Sequence, residues 1–307
     1  MNTFGKRFRL TTYGESHGLA VGGVIDGCPS GLAVDFDVIE RDLARRRVAA
    51  PRKEEDHVEW LSGLKDGVTL GSPIAFSIRN KDARPADYAP LGDACRPGHA
   101  DYTYLARYGL RDANGSGRAS ARETVARVVA GALAKQVINP IKVETQIVEM
   151  GPDAEDDTRG GIVECRIDGL PAGVGDPIFG KLNATLAAAM MSIPSAIGFE
   201  IGAGFAAARM KGSEYIDRWS DIHHSSLTQT NHCGGVQGGI SNGMPVVIRV
   251  AFHPVCTLPQ PVECLEADGT LRTVDMGGRH DRCQVLRTPV IVEAMAALVV
   301  ADFLVKN

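Results

Sequence analysis

Residues 115–137 read GSGRASARETVARVVAGALAKQV, a glycine-rich turn that leads directly into an apolar segment. Apolar side chains in this segment recur at positions i, i+3, i+4, i+7 and i+8, namely Val125, Val128, Val129, Ala132 and Leu133. This spacing is typical of a helix with one buried face, which we expect over about residues 120–137. Ser120 and Glu123 stand three apart just ahead of the run, the spacing of the two partners in a capping box.

The turn before this helix is also suited to binding an anion. A helix N-terminus presents free backbone N–H groups and the positive end of the helix dipole. Arg118 and Arg122 flank it, and a guanidinium group binds phosphate or carboxylate in two places at once. Upstream, residues 96–102 read RPGHADY and place His99 just ahead of Asp101. A capped core helix with solvated arginines explains the turn equally well, but the nearby histidine favours a site.

The composition argues against several classes of protein. The chain has 307 residues, of which 44% are apolar and 23% charged, as in ordinary globular proteins. Its net charge is −4 and its longest basic tract is Arg45-Arg46-Arg47, so we do not expect it to bind nucleic acid. No apolar run reaches the ~18 residues of a membrane span, and the N-terminus has no signal-like segment, so no membrane association is expected.

The cysteines indicate a reducing compartment. They number seven, an odd count, and form no C-x-x-C pair, so the protein is predicted to be cytoplasmic and without a disulfide framework. Neither zinc-finger nor H-E-x-x-H spacing relates the candidate metal ligands His223, His224, His232, His280, Cys233 and Cys283. We therefore predict no metal site.

The sequence repeats itself at a distance. Residues 167–174 (IDGLPAGV) echo residues 25–32 (IDGCPSGL), and residues 243–246 (GMPV) echo residues 71–74 (GSPI). Each copy ends in a long apolar helix, at about 120–137 and 289–305. We therefore predict one domain over 1–307, built from two similar α/β halves at about 1–140 and 141–307. The lack of a G-x-G-x-x-G fingerprint argues against a dinucleotide-binding fold.

The periods of the remaining apolar patterns predict the other elements. Strands are expected at 7–12, 21–25, 58–61, 74–78 and 142–150. A helix is expected from about Phe36 to Arg47, capped by Asp35, with Phe36, Ile39 and Leu43 on one face. A further helix is expected to begin at Asp176, with inward-facing Ile178, Leu182, Leu186 and Met190.

Three glycine-rich turns carry side chains that suit chemistry. Residues 14–18 read GESHG, in which His17 is a candidate acid or hydrogen-bond donor. Residues 231–243 contain five glycines and suit a backbone that wraps a flat or phosphorylated ligand. Residues 277–283 read GGRHDRC and join a permissive turn to an arginine and a carboxylate.

Together these motifs resemble the chorismate synthase family, whose motifs recur here in the same order. They are GESHG at 14–18, RPGHAD at 96–101, SARET at 120–124, the glycine-rich stretch 234–243 and RHD at 279–281. The resemblance spans nearly the whole chain and implies a pseudo-symmetric β-α-β sandwich, an α/β (α+β) fold with antiparallel sheets around core helices. It also implies a homotetramer and a lyase of the shikimate pathway. That enzyme converts 5-enolpyruvylshikimate 3-phosphate to chorismate by a 1,4-anti elimination of phosphate, which needs reduced FMN without net redox change.

The resemblance further implies roles for particular residues. The catalytic residues would be His17, His99 and Asp281, with Asp281 serving proton removal through flavin N5. The anionic groups of the substrate would be bound by Arg47, Arg96, Arg122 and Arg279. The flavin would contact Arg118, Ala119, Ser120, Pro194, Ser195, Gly238, His253, Pro254, Val255, Cys256, Thr257 and Arg279. NADPH or an external flavin reductase would supply the reduced flavin.

Several positions depart from the family's pattern. A serine, two lysines and a proline of that pattern are replaced here by Ala119, Ile197, His253 and Arg282. Two loops, near residues 48–51 and 150–160, are shorter than is usual in the family. Because most of these changes concern flavin contacts, a second interpretation is a non-catalytic relative that binds a phosphorylated metabolite and has weakened flavin affinity.

Overall fold

The first half of the chain forms a five-stranded antiparallel sheet. The computed structural model describes residues 1–50, 52–153, 157–220, 227–275 and 281–306. The strands are β1 (Thr3–Phe4), β2 (Arg9–Tyr13), β3 (Ala20–Asp26), β4 (Val58–Trp60), β5 (Leu64–Lys65), β6 (Val68–Thr69) and β7 (Ile74–Arg79). They pair in the order β1-β2-β3-β7-β4, and β5 and β6 form a separate hairpin. The helices of this half are α1 (Phe36–Arg47), α2 (Asp101–Tyr108) and α3 (Thr124–Val137).

The second half forms a four-stranded antiparallel sheet. The strands of this half are β8 (Lys142–Met150), β9 (Gly161–Asp168), β10 (Ala196–Ile201), β11 (Val236–Gln237), β12 (Ile240–Ser241), β13 (Val246–Phe252), β14 (Val262–Leu265) and β15 (Leu271–Val274). The sheet order is β10-β13-β9-β8, and β11–β12 and β14–β15 are hairpins. The helices are α4 (Leu182–Met191), α5 (Gly212–Tyr215) and α6 (Thr288–Leu304).

The two halves share one topology. The order β2-β3-β7-β4 in the first sheet matches β8-β9-β13-β10 in the second, and every neighbouring pair is antiparallel. The repeated sequences lie at equivalent turns: Gly27 and Gly169 have φ of +83° and +80°, and Gly71 and Gly243 have +79° and +90°. Positive φ is accessible mainly to glycine, which explains why glycine recurs at these positions. The predicted fold class is confirmed.

Helices α3 and α6 fill the space between the sheets. α3 packs on β3 of the first sheet, α6 packs on β8 and β9 of the second, and the two helices pack on each other. Their closest approach is at Gly131, where an added Cβ would lie 2.3 Å from Cα and Cβ of Ala294. A single hydrophobic core therefore runs through both halves, which explains why both long helices are apolar.

Helix α6 also corrects one expectation from the sequence. The stretch Gln284–Leu304 is long and apolar enough to cross a membrane by length and composition, contrary to the expectation that no run reaches that length. Most of its apolar window, 83%, is buried inside the protein. It is a core helix, and its apolar character reflects packing on all sides.

Two predicted helix starts are wrong in detail. α3 begins at Thr124, after short 3₁₀ turns at Gly117–Ala119 and Ala121–Glu123. The Ser120 hydroxyl accepts from the Arg122 N–H at 3.3 Å, but the Glu123 carboxylate bonds to Thr12 and Arg127 instead of completing a capping box.

The second correction concerns α4. This helix begins at Leu182 and not near Asp176, and Ile178 is 64% exposed instead of facing inward. In α1 the Asp35 cap is confirmed, because its carboxylate accepts from the N–H groups of Asp37 and Val38. Phe36, expected on the buried face with Ile39 and Leu43, is 38% exposed and packs edge-on against Trp60.

A buried group of charges fixes α1 against the core helices. Glu293 of α6, 4% exposed, accepts hydrogen bonds from Arg45 of α1, Lys135 of α3 and Thr145 of β8. Lys135 also pairs with Asp42 at 2.5 Å. These contacts fix the C-terminal end of α1, which carries Arg46 and Arg47.

A small satellite unit packs beside the sandwich. The hairpin β14–β15 and residues 85–95 share a separate apolar cluster that includes Leu91, Ala94 and Cys264, and Cys95 pairs with Leu265 as an isolated bridge. The unit therefore holds residues 96–100 and residues 253–257 close to each other.

Candidate active site

A cleft of about 430 Å³ opens between the two halves and the satellite unit. Equivalent segments of the halves line it, namely those that follow α1 and α4 and those that precede α3 and α6. Thr124 and Thr288, the first residues of α3 and α6, both reach it. The cleft therefore lies where the pseudo-symmetry brings the corresponding parts of the two halves together.

The two halves give the cleft different chemistry. The arginines that line it among the described residues are Arg46, Arg47, Arg52, Arg96, Arg122 and Arg287, and only Arg287 belongs to the second half. The second half contributes apolar side chains, namely Ile193, Pro194, Val255 and Ile291. A cationic wall thus faces one in which these apolar side chains lie among polar ones, an arrangement that suits ligands with both anionic groups and a flat apolar face.

His17 lies in the loop between β2 and β3 and lines the cleft. Its Nδ1 accepts a hydrogen bond from the Arg84 backbone N–H at 3.2 Å, and its ring packs edge-on against Tyr88 with centroids 4.9 Å apart. Because Nδ1 is an acceptor, the ring proton lies on Nε2, which can donate to a ligand. Burial, and then the charge of Arg52, lowers the pKa of His17.

His99 lines the cleft on the satellite side. Its Nδ1 lies 2.9 Å from the Pro97 carbonyl oxygen, and its Nε2 lies 3.0 Å from the Thr257 hydroxyl. Burial, followed by the charge of Arg96, lowers the pKa of His99, which favours the neutral ring. In the neutral ring both nitrogens already have partners, so the single N–H of the ring is not free to reach a ligand.

Arg96 is fixed before any ligand arrives. It is 6% exposed and forms a two-point pair with Asp101 at 2.8 and 3.0 Å, and it also donates to Ser116 at 3.2 Å. The guanidinium carbon lies 5.6 Å from the centroid of the Tyr88 ring, a cation–π contact. Since Tyr88 also packs against His17, this tyrosine holds two predicted site residues in one arrangement.

Arg122 is fixed in the same manner by Asp56. The two side chains pair directly, and Arg122 also donates to Asn80 at 2.8 Å. Asp56 is 2% exposed, has φ of +55°, and also lies 3.4 Å from Arg46. Burial lowers the pKa of Arg46 to about 10, with Asp56 acting in the opposite direction. Asp56, whose backbone is strained and whose carboxylate is buried, therefore orients both Arg46 and Arg122.

Arg47 and Arg52 are the cleft arginines with the greatest freedom to bind an anion. Arg47 donates to the Glu55 carbonyl at 2.6 Å and has no carboxylate partner among the described ion pairs. Arg52 pairs with Glu54 and donates to the Ser16 carbonyl at 2.8 Å, but its Nε is buried and has no hydrogen-bond partner among the described residues. An unsatisfied buried N–H of this kind is suited to an anionic oxygen.

Asp281 lies at the second-half side of the cleft. Its carboxylate pairs with Arg287 of the turn before α6 and accepts from the Cys283 N–H at 3.3 Å. Both of its oxygens thus have donors, and the carboxylate is held at the edge of the cleft. Arg279 lies outside the described residues, as do His223, His224 and His280.

The predicted flavin contacts fall on both walls. Ala119 and Ser120 line the cleft from the first half, and Pro194, Ser195, His253, Val255, Cys256 and Thr257 line it from the second. The two second-half segments are neighbours, since the His253 N–H donates to the Ser195 carbonyl at 3.0 Å. Ser195 has φ of +70°, a conformation that non-glycine residues rarely adopt. With the apolar side chains beside them, these residues fit a flat ring.

Three predicted contacts do not line the cleft. Arg118 instead bonds to Thr12 at 2.7 Å and to the Gly14 carbonyl at 3.2 Å, so it supports the loop of His17 from behind. Gly238 is exposed at the turn between β11 and β12, and Pro254 is exposed beside the cleft. The glycine-rich stretch 231–243 thus forms a hairpin whose turn lies away from the cleft.

Reasoning from the sequence did not single out several cleft residues. These are Arg46, Arg52, Asp56, Tyr88, Gln284 and Arg287. Arg46 belongs to the basic tract Arg45–Arg47, so the sequence did contain an indication of it. The others lie outside the motifs, and their sequence neighbours give no indication of the cleft.

Comparisons with known proteins agree with one another. The family model for chorismate synthase matches residues 8–155 and 152–305. The chorismate synthase of Porphyromonas gingivalis is 46% identical over 349 residues, covering 98% of this chain and 95% of that protein. That of Opitutus terrae is 44% identical over 347 residues, covering 98% and 96%. A solved structure described as "Crystal Structure of Chorismate Synthase" is 29% identical, with a TM-score of 0.76 and coverage of 98% and 92%. The aligned lengths exceed this chain's 307 residues, so these relatives carry segments that it lacks.

Proposed function

Because the chain belongs to the chorismate synthase family, we propose that its cleft between the halves binds 5-enolpyruvylshikimate 3-phosphate beside reduced FMN. The chain has the activity of that family: it is a lyase that releases phosphate to give chorismate, the last common step of aromatic amino-acid biosynthesis. The observation that carries the proposed site is the juxtaposition of His17, His99 and Asp281 with six arginines around one cleft.

The arginines bind the anionic groups of the substrate. The substrate carries a phosphate and two carboxylates, and six described arginines line the cleft. Arg47 and the buried Nε–H of Arg52 donate to one anionic group of the substrate. Arg96 and Arg122, whose guanidiniums are fixed by their carboxylate partners, donate their remaining N–H groups to the others. Fixed donors need no reorganisation as charge moves onto the departing phosphate.

His17 acts on the departing phosphate. Its Nε2–H is the only ring donor, because Arg84 donates to Nδ1. A bound phosphate offsets the positive charge of Arg52 and raises the pKa of His17 again, so the ring can share or give its proton as the C–O bond breaks. Asp281, on the opposite side, takes up the proton that leaves the substrate ring.

The family is generally FMN-dependent, and reduced FMN supplies electron density to the breaking C–O bond when it is bound. The residues that would hold it are Ala119, Ser120, Pro194, Ser195 and the segment 253–257. Their apolar neighbours exclude water from the ring. Reduced flavin comes from an external flavin reductase or from NADPH acting on the enzyme itself. The enzyme is proposed to work in the cytoplasm as a homotetramer of single-domain chains whose halves meet near residue 140.

Binding to variants of the cleft tests the assignment. Arg47→Ala should weaken substrate binding on the order of tenfold to a hundredfold, the value of one lost charge-assisted hydrogen bond. Arg209→Ala, on an exposed 3₁₀ turn of the second half, is the matched control and should leave the dissociation constant unchanged. Equal affinities of the two variants in calorimetric titration would show that substrate does not bind at this cleft.

The alternative is a relative that binds the phosphorylated metabolite without catalysis. The replacements at Ala119 and His253 favour it, since both residues line the proposed flavin site. Chorismate formation with reduced FMN separates the two functions, because a binding protein would retain substrate affinity and form no product.

A further inference from the structure

Both nitrogens of the His99 ring are engaged, and the two partners differ in what they can do. The Pro97 carbonyl oxygen, 2.9 Å from Nδ1, can only accept, so Nδ1 must carry a proton. In the neutral ring Nε2 is then a lone pair. The Thr257 hydroxyl, 3.0 Å away, must donate to it. The tautomer of His99 follows from these contacts alone.

The same contacts prevent His99 from acting on a ligand directly. Neutral His99 has no free N–H, and protonated His99 uses its second N–H on the Thr257 oxygen. Protonation, however, reverses the direction of the second bond: Nε2 donates, Thr257 accepts, and the threonine hydroxyl hydrogen turns away from the ring. Thr257 and His99 both line the cleft, so this hydroxyl is available to a bound ligand.

We propose that Thr257 is the final donor of a two-step proton relay from His99 to the anion bound in the cleft. The Nε2–H bond of the imidazolium breaks as an O–H bond forms on Thr257. The original Oγ–H bond breaks as a bond forms between that hydrogen and the anion. The imidazolium loses its charge and the anion gains one proton. The hydrogen now on Oγ points at Nε2, so the resting arrangement is restored.

The surroundings of the pair fit this role. Burial, followed by the charge of Arg96, lowers the pKa of His99, with the Pro97 carbonyl and Asp101 acting in the opposite direction. A lowered pKa makes the imidazolium a stronger acid, which suits a proton donor. Cys256 Cβ and Sγ would lie 2.8 Å from a Cβ at Gly98, so the segment before Thr257 is packed closely against the segment before His99. The separation of the two side chains is therefore set by backbone packing, as a relay requires.

The relay rests on the proposed function, but one of its tests does not depend on turnover. In the ¹⁵N spectrum of ligand-free enzyme, neutral His99 should show a protonated Nδ1 and an unprotonated Nε2. Thr257→Val keeps the side-chain shape but removes both the donor to the neutral ring and the acceptor for Nε2–H of the imidazolium. The charged ring loses the stronger bond, so the pKa of His99 should fall further in that variant. Thr257→Ser keeps the hydroxyl and should leave the pKa near that of the unaltered enzyme. A protonated Nε2 in the neutral ring of the unaltered enzyme would overturn the relay.

Turnover supplies the second arm. With saturating substrate and reduced FMN, Thr257→Val should lower kcat on the order of 10²-fold, the usual contribution of a placed proton donor, with KM changed little. Thr257→Ser should stay within a few-fold of the unaltered enzyme. Thr270→Val, in the turn of the β14–β15 hairpin, is the control for the substitution itself.

The outcomes are distinguishable. If Thr257→Val raises only the FMN concentration needed and keeps kcat at saturation, Thr257 is a flavin contact and the relay is wrong. If the Thr257→Val variant does not fold, the relay is tested by Thr257→Ser and by the tautomer of His99 in the ¹⁵N spectrum of the unaltered enzyme. If the unaltered enzyme forms no chorismate, the proposed function is wrong. The ¹⁵N spectrum still tests whether His99 and Thr257 form the hydrogen bonds described here.

Discussion

Each fixed arginine of the cleft is paired with a particular carboxylate. Arg96 pairs with Asp101, five residues away, and the motif RPGHAD contains both partners. Arg122 pairs with Asp56, which is 66 residues away in the chain and belongs to no motif. The sequence therefore indicates the arginines and one carboxylate, but it cannot reveal pairs that only the packing of distant loops creates.

The first prediction concerns Asp56. Asp56→Asn should lower the free energy of unfolding by about 3 kcal/mol, because it leaves the buried charge of Arg122 without its partner. It should also raise KM for substrate, since Arg46 and Arg122 lose their orientation. Urea denaturation and steady-state kinetics measure the two effects. Glu55→Gln breaks the exposed pair with Lys81 and should change neither quantity appreciably; equal effects of both variants would count against the positioning role of Asp56.

The second prediction concerns pH. The pKa values of His17 and His99 are lowered from the ordinary 6.5, so between the folded and unfolded pKa values the unfolded chain binds more protons. Stability is then fully present above about pH 6.5 and falls as pH drops through the lowered folded values. Unfolding measured from pH 7.5 to 5 should show this decline. A double His17→Gln, His99→Gln variant should show a smaller slope, and an identical slope would exclude these histidines as the cause.

At the scale of elements, α3 and α6 show what periodic patterns reveal and what they miss. Their apolar stripes correctly predict two buried helices. The predicted start of α3 was wrong because hydrogen bonds to distant groups compete with local capping, as when Glu123 bonds Thr12 across 111 residues. Similarly, Ile178 is apolar at helical spacing but lies ahead of α4, and it is exposed. Pattern identifies an element, whereas tertiary contacts determine where it begins.

The third prediction tests the approach of these two helices. Gly131→Ala would gain about 1 kcal/mol in helix propensity. The new methyl group, however, would lie 2.3 Å from Ala294, and forcing such a contact into a packed core costs about 1–3 kcal/mol. We expect net destabilisation, measured by thermal or urea unfolding.

Gly212→Ala is the matched control, because no atom lies within 4 Å of the added Cβ at the start of α5. It should be neutral or slightly stabilising. Stabilisation by both substitutions would mean that α3 and α6 are not in close contact at Gly131.

At the scale of the whole molecule, duplication of one topology explains the location of the site. The repeated letters at Gly27 and Gly169 were sufficient to predict two similar halves, because glycine is required at those turns. The sequence could not predict that the first half supplies most of the cleft arginines and the second its large aliphatic side chains. That division depends on which distant segments meet at the cleft, and tertiary packing determines it.

The most direct test of the account is product formation by the purified chain. The protein is incubated anaerobically with 5-enolpyruvylshikimate 3-phosphate and chemically reduced FMN, and chorismate and phosphate are quantified. We expect chorismate and phosphate in equal amounts and in many-fold excess over the FMN present. With oxidised FMN and no reductant, we expect neither product. Stoichiometric consumption of reduced FMN, or full turnover with oxidised FMN alone, would contradict this expectation. Tight substrate binding without any chorismate would favour the non-catalytic alternative.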